Sequence, residues 1–250
     1  MLLFLLPPSE GKNTGWIDTI STRTFDLDLP LDIAAHATHR DLKCKGKRYQ
    51  EGVELNRRLA AAMQTPTPEG TPSPWQGTTS DWLSPWVLVM PAIQRYSGVM
   101  YKAIGYSDKD AQVQQFFDTH VLILSGMYWL LTPQDTIANY KLPIGAKWLR
   151  QWRGTTITDA LISYCADQDQ IITIVDLLSG AYSKMIQQNT LRDAGIRYIT
   201  VDFVKTDGSK YTHWVKKVKG EMLLEWCIAW VENVKWLEGE VDGDVVRVVC

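Results

Sequence analysis

The sequence predicts a mixed α/β or α+β fold, a single compact mixed-sheet domain with flanking helices, and three observations predict it. Short continuous apolar runs recur along the chain, stretches of helical periodicity separate them, and an Asp-Gly turn follows the last of them. The 250 residues are 45% hydrophobic and 22% charged, which excludes a disordered, collagen-like or fibrous protein. A chain of this length buries enough apolar surface to fold without a disulfide or metal staple.

Residues 2–6 read as a strand buried on both faces, and Pro7-Pro8 ends it. With no basic flank and so few residues, this opening predicts neither a signal peptide nor a membrane span. Residues 121–124 and 171–175 have the same character, and residues 198–204 make a fourth strand. Lys205-Thr206-Asp207-Gly208-Ser209 carries the turn, and residues 210–215 then predict a hairpin. Helical spacing fits residues 33–63 with a break near Gly46, then 108–117, 158–166 and 221–236. Between residues 64 and 85, Pro66, Pro68, Pro72, Pro74 and Pro85 with Gly70 and Gly77 forbid a helix or central strand. That stretch reads as a surface loop within one domain spanning residues 1–250.

The formal net charge of −2 hides an uneven distribution. Residues 40–58 hold seven basic against three acidic side chains, residues 205–220 hold five lysines against Asp207, and residues 221–250 hold seven acids against Lys235 and Arg247. Two basic segments are therefore masked in the total, and local patches matter more than the sum for an anionic partner. Cys44, Cys165, Cys227 and Cys250 form no metal or redox spacing, which fits a reducing, cytoplasmic setting. His36 and His39 lack further ligands at recognisable spacing, so no metal or cofactor is expected.

Three segments that follow strands could carry chemistry, because ligands of α/β sheets bind at the carboxyl ends of strands. Pro7-Pro8-Ser9-Glu10-Gly11-Lys12 offers a hydroxyl, a carboxylate and an ammonium at a tight turn, without the spacing of a P-loop. Leu124-Ser125-Gly126-Met127-Tyr128, running on through Pro133, Asp135, Tyr140 and Lys141, is rich in hydrogen-bonding groups, and Tyr96 and Tyr101 flank Gly98 in a similar way. Asp176-Leu177-Leu178-Ser179-Gly180-Ala181-Tyr182-Ser183-Lys184 offers a Ser-Gly turn and a cation to an anion. Lys216-Lys217-Val218-Lys219-Gly220 is a basic cluster at a helix start. The eleven tryptophans sit mostly at apolar positions and are expected to serve packing.

Taken in order, Pro-Pro-Ser-Glu-Gly-Lys, Tyr96-x-Gly98-x-x-Tyr101, Leu124 to Tyr128 with Pro133-x-Asp135 and Tyr140-Lys141-Leu142, Ser179 with Tyr182 and Lys184, and Lys216-Lys217-x-Lys219-Gly220 resemble the YaaA family of peroxide-stress proteins over nearly the whole chain. The chain looks like a second branch: the best-known branch carries glycine at Trp129, arginine at Thr132 and Lys141, asparagine at Asp176 and glutamate at Ala181. Lysine in place of arginine keeps the charge but loses bidentate geometry.

The resemblance implies a cytosolic, compact α/β protein that lowers peroxide damage by limiting free iron, and that binds DNA through a helix-hairpin-helix-like element. Residues 33–59, with Lys43, Lys45, Lys47 and Arg48 at the break, are the segment expected to form it, backed by Lys216, Lys217 and Lys219. The expected partner is double-stranded or distorted DNA, bound by a monomer largely without sequence preference. The alternative is an enzyme acting on a nucleobase, nucleotide or damaged DNA site. In it Glu10 is acid or base, Lys12 or Lys184 clamp or nucleophile, and Tyr101, Tyr128 or Tyr182 a stacking wall. Ser9, Tyr96, Ser125, Asp135, Tyr140, Lys141, Asp176 and Ser179 complete that expected pocket, which would take a small molecule. A third reading, direct iron binding, asks for an oxygen and nitrogen ligand cluster, for which the sequence offers only His36, His39 and scattered carboxylates.

Overall fold

The computed structural model describes residues 1–15, 89–140, 149–168, 170–209, 214–231, 240–242 and 244–249. In chain order these form β1 (Leu2–Leu6), β2 (Val89–Pro91), α1 (Ala92–Arg95), α2 (Val99–Ile104), α3 (Ala111–His120), β3 (Val121–Ser125), β4 (Trp129–Leu131) and β5 (Thr136–Ala138). Then follow α4 (Leu149–Ala166), β6 (Thr173–Asp176), α5 (Gly180–Ser183), α6 (Gln188–Asp193), β7 (Arg197–Val204), α7 (Val215–Val231), β8 (Glu240–Asp242) and β9 (Val245–Val249).

Seven of the strands make one sheet in the order β4-β3-β1-β6-β7-β9-β8. β3, β1, β6, β7 and β9 run parallel, and antiparallel β4 and β8 close the two margins. The four strands expected from the sequence are all present within two residues. β1 lies at the centre of its neighbours, with Leu5 beside both Leu122 and Asp176. A separate two-stranded ribbon pairs β2 with β5.

Alternation along β1 explains its unbroken apolar run. Phe4 and Leu6 face one core with Val121, Ile123, Val175 and Val246, while Leu3 and Leu5 face the other with Leu122, Leu124 and Ile174. The first core is covered by α2, α3 and α7: the Phe4 ring lies 6.1 Å from Phe116 and 5.9 Å from Trp226. The second is covered by α4 and α6 through Ile157, Leu161 and Leu191. α7 crosses α2 so closely at Gly220 that a Cβ there would meet the Met100 carbonyl oxygen at 2.5 Å. Only glycine fits that crossing. No described helix is long and apolar enough to cross a membrane.

Several boundaries move for local reasons. α3 starts at Ala111 rather than residue 108 because Asp110 caps it, accepting from the Val113 N–H at 2.9 Å, a bond worth about 1 kcal/mol. The Asp-Gly turn forms, with Gly208 at φ 79° and the Lys205 N–H bonded to the Ser209 carbonyl. Val215, expected to end a strand, opens α7 instead. β9, in the tail, is the parallel neighbour of β7. The expected helices at 33–63, the helix-hairpin-helix-like segment and the 64–85 loop lie outside the described residues.

Candidate functional site at the strand ends

Parallel β3, β1 and β6 lie side by side, so their carboxyl ends open on one edge, and the three sequence-predicted segments leave from there. The first does not hang free. Lys12 forms an antiparallel bridge with Tyr96, the Ser97 N–H bonds the Gly11 carbonyl at 3.0 Å, and the Asn13 N–H bonds the Arg95 carbonyl at 2.8 Å. This stitching needs Gly98, whose Cβ would collide with the Ser9 hydroxyl. Ser9 and Lys12 are half-buried and Glu10 is exposed.

Stitching brings the Lys12 ammonium to 3.0 Å from the Ser9 carbonyl oxygen and 4.0 Å from the centre of the Tyr140 ring. A cation in that position is held by the ring's negative face, worth about 0.5–2 kcal/mol as water is excluded. The Tyr140 hydroxyl lies 2.7 Å from the Tyr96 hydroxyl and 2.8 Å from Ser125 Oγ. Ser125 Oγ accepts the N–H groups of Met127 and Tyr128, which fixes the turn after β3. The Tyr101 hydroxyl donates to the Pro7 carbonyl at 2.8 Å, tying α2 to the same edge. Burial pushes the Tyr96, Tyr101 and Tyr140 phenols up, and at Tyr101 and Tyr140 the Tyr182 phenol adds to the push. These phenols are therefore protonated at working pH and act as hydrogen-bond donors.

Other expected residues have structural duties here. Tyr128 accepts the Ala138 N–H at 3.1 Å and its ring meets Tyr140 edge-on at 5.5 Å, so it props β5. Asp135, 1% exposed, accepts the Thr132 N–H at 2.7 Å and closes a turn. Asp176 accepts the Leu178 N–H at 2.6 Å and the Tyr198 hydroxyl at 2.9 Å, which sets the path into α5. The Ser179 carbonyl accepts from Tyr182 and Ser183, so those N–H groups are spent inside the turn. Ser179 and Lys184 are exposed, Tyr182 is half-buried, and Lys141 lies outside the described residues.

A family model described as "Peroxide stress protein YaaA" matches residues 2–240. The chain belongs to the YaaA family of peroxide stress proteins. Relatives in this YaaA group include a "UPF0246 protein" of Rhizorhabdus wittichii, 31% identical over 61% of this chain and 64% of that protein. Another is a "UPF0246 protein" of Francisella tularensis subsp. holarctica, 30% identical over 58% and 60%. The chain thus spans about six tenths of the length of the curated relatives that it matches.

Trp129, where the best-known YaaA branch has glycine, takes the left-handed φ of 65° that glycine favours. The Leu130 N–H bonds the Tyr128 carbonyl across it, a γ-turn of the rarer hand. Arg95 was missed from the sequence. It is 1% exposed and donates to the carbonyls of Ile137, Asn13 and Gly15, clamping the residues that follow Lys12 onto the ribbon. Burial holds its guanidinium down to about 10, still charged at neutral pH. Its signal in the sequence is an arginine between Ile93 and Tyr96, two positions that read as core.

The basic cluster of this YaaA chain divides. Lys216 and Lys217 are exposed, Lys217 pairing with Glu221 at 2.6 Å, and Trp214 beside them is 66% exposed, an exception to the packing expected of the tryptophans. Lys219 points inward, donating to the carbonyls of Leu177 and Leu178 at 3.0 and 2.7 Å. Burial lowers its pKa, opposed by Asp176 and Asp202. It braces the turn after β6 and does not share the open surface of Lys216. Lys43, Lys45, Lys47 and Arg48 lie outside the described residues.

Proposed function

We propose that the protein is a peroxide-stress factor that binds DNA largely without sequence preference, limits iron-mediated damage there, and holds a nucleobase or nucleotide at the strand-end cluster. One observation carries the reading: the Lys12 ammonium stands 4.0 Å over the ring of Tyr140, whose hydroxyl joins Tyr96 and Ser125. A half-buried cation backed by buried rings at the carboxyl ends of parallel strands suits a ligand bearing oxygen atoms. A base inside a duplex cannot reach such a site, so distorted or single-stranded DNA is the fitting partner. Exposed Lys216 and the basic segments of the sequence supply backbone contacts. Protection against iron-mediated damage is then indirect, exercised at the DNA. In a catalytic version of this reading Glu10, exposed at the rim, is the acid or base.

The test titrates the full chain into labelled duplex DNA and into DNA of equal length with an unpaired bubble, following anisotropy at several salt concentrations. Expected are a linear fall of log K with log salt, tighter binding of the bubble, and loss of that preference alone in Lys12→Ala. Equal affinity for both DNAs, unchanged in Lys12→Ala, overturns the strand-end site. No binding at low salt overturns the DNA partner.

A further inference from the structure

Trp129 and Trp226 are each 5% exposed and pack in one of the two cores, whereas Trp214 is 66% exposed. A single exposed apolar side chain is ordinary on a protein surface. The place of this one is not. Its carbonyl accepts the N–H groups of Lys217 and Val218, at 2.9 and 3.1 Å, so Trp214 is fixed at the start of α7. That helix runs inward from the carboxyl edge of the sheet: Lys219 reaches the Leu177 and Leu178 carbonyls just after β6, and Trp226, two turns further on, stacks 5.9 Å from Phe4 inside β1. At 1.5 Å per residue Trp214 stands about 7.5 Å before Lys219 along the axis. It is therefore on the same edge as the segments that leave β1, β3 and β6. Its surroundings are cationic. Lys205, Lys216 and Lys217 are exposed, and residues 205–220 carry five lysines against Asp207. Lys217 is paired with Glu221 at 2.6 Å, while Lys216 stands exposed two residues from the ring.

We infer that Trp214 is a stacking platform for an unpaired base of a DNA strand, with Lys216 meeting a phosphate beside it. This rests on the reading that the protein binds DNA, and adds the residue that tells an unpaired strand from a duplex. An exposed indole takes any base by its π face, so it gives affinity without reading sequence. A base inside a duplex is already stacked on both sides and cannot use the ring. Lysines alone do not make that distinction, because they meet the phosphates of single strand and duplex alike. The lysine excess around the ring in turn selects a polyanion over an apolar protein face.

The test titrates the full chain into labelled oligothymidylate and into a labelled duplex of equal length, following anisotropy at several salt concentrations, in wild type, Trp214→Ala, Trp214→Phe and Lys216→Ala. Expected in Trp214→Ala is a loss of at least about tenfold, or ~1.4 kcal/mol, on the single strand, with duplex affinity and the salt slope unchanged. Trp214→Phe keeps a ring and should recover most of that loss. Lys216→Ala should weaken both DNAs and lower the salt slope by about one. Trp214 is exposed, so its variants should keep the urea midpoint of wild type. Single-strand affinity unchanged in Trp214→Ala overturns the inference. So does an equal loss on both DNAs, Trp214→Phe binding as weakly as Trp214→Ala, or a wild type that binds the duplex alone, and each of these leaves DNA binding itself standing. A wild type that binds neither DNA at low salt overturns both the inference and the DNA reading beneath it.

Discussion

The two ends of the same parallel strands differ in chemistry. At the carboxyl ends Ser125, Tyr140, Tyr96, Asp176 and Arg95 are buried polar groups, and glycines exist for close approach, Gly98 against Ser9 and Gly220 against Met100. At the amino ends a hollow is lined by Ile162, Cys165, Ile172 and Ile196, Ile171 stands 85% exposed, and Gly195 answers only a φ of 78° with open space around it. Burial pushes the Cys165 thiol up to about 11, which makes it an inert core residue. Burying polar groups is costly unless they are bonded, so a fold that concentrates them at one end has a use for them there.

The largest way to break this contrast is Gly220→Ala. A methyl group would press on backbone at 2.5 Å and on the Ala103 methyl at 2.9 Å, and overpacking of this kind costs about 3 kcal/mol. A lowered denaturant midpoint with unchanged slope is the expected reading. Next comes Tyr140, whose buried hydroxyl sharpens the contrast. Tyr140→Phe removes the hydroxyl that lies 2.7 Å from Tyr96 and 2.8 Å from Ser125 and should cost about 2 kcal/mol. An unchanged midpoint in urea unfolding would mean that these hydroxyl contacts do not hold the turn after β3.

The smallest effect belongs to the amino ends. His120, at the end of α3 just before β3, is half-buried with its ring stacked 4.3 Å from Phe116, and burial lowers its pKa below 6.5. The fold therefore prefers the neutral ring: the stability it contributes is present above pH 6.5 and is lost as pH falls through the folded value. Stability measured from pH 7.5 to 5 should fall in wild type, with a shallower slope in His120→Gln. The hydroxyl cluster stays protonated throughout, so this titration should leave it untouched.

β1, β3 and β6 were legible as short apolar runs between turn residues, whereas the order in which the strands pair was not. β4, β5 and β8 were not, since three residues give periodicity nothing to repeat. β9 was hidden by the acidic charge around it. Of the site, the three strand-end segments were visible as motifs, and the structure brings Lys12, Tyr96, Ser125 and Tyr140 into contact. Direction was not visible. Lys219 reads from sequence as one of three exposed lysines, yet the crossing at Gly220 turns it toward the Leu177 and Leu178 carbonyls. Arg95 escaped notice because its partners are carbonyls, which carry no sequence signature.

β4 and β8 also bear on how the molecule keeps company with its own copies. Five adjacent parallel strands rich in valine, isoleucine and leucine would invite another chain to add itself at an open margin and so seed aggregates. Each outer strand runs against its neighbour and is three residues long, so among the described residues an incoming chain finds too short a template to extend. Among the described residues, resistance to edge-to-edge pairing thus rests on two of the shortest elements of the fold.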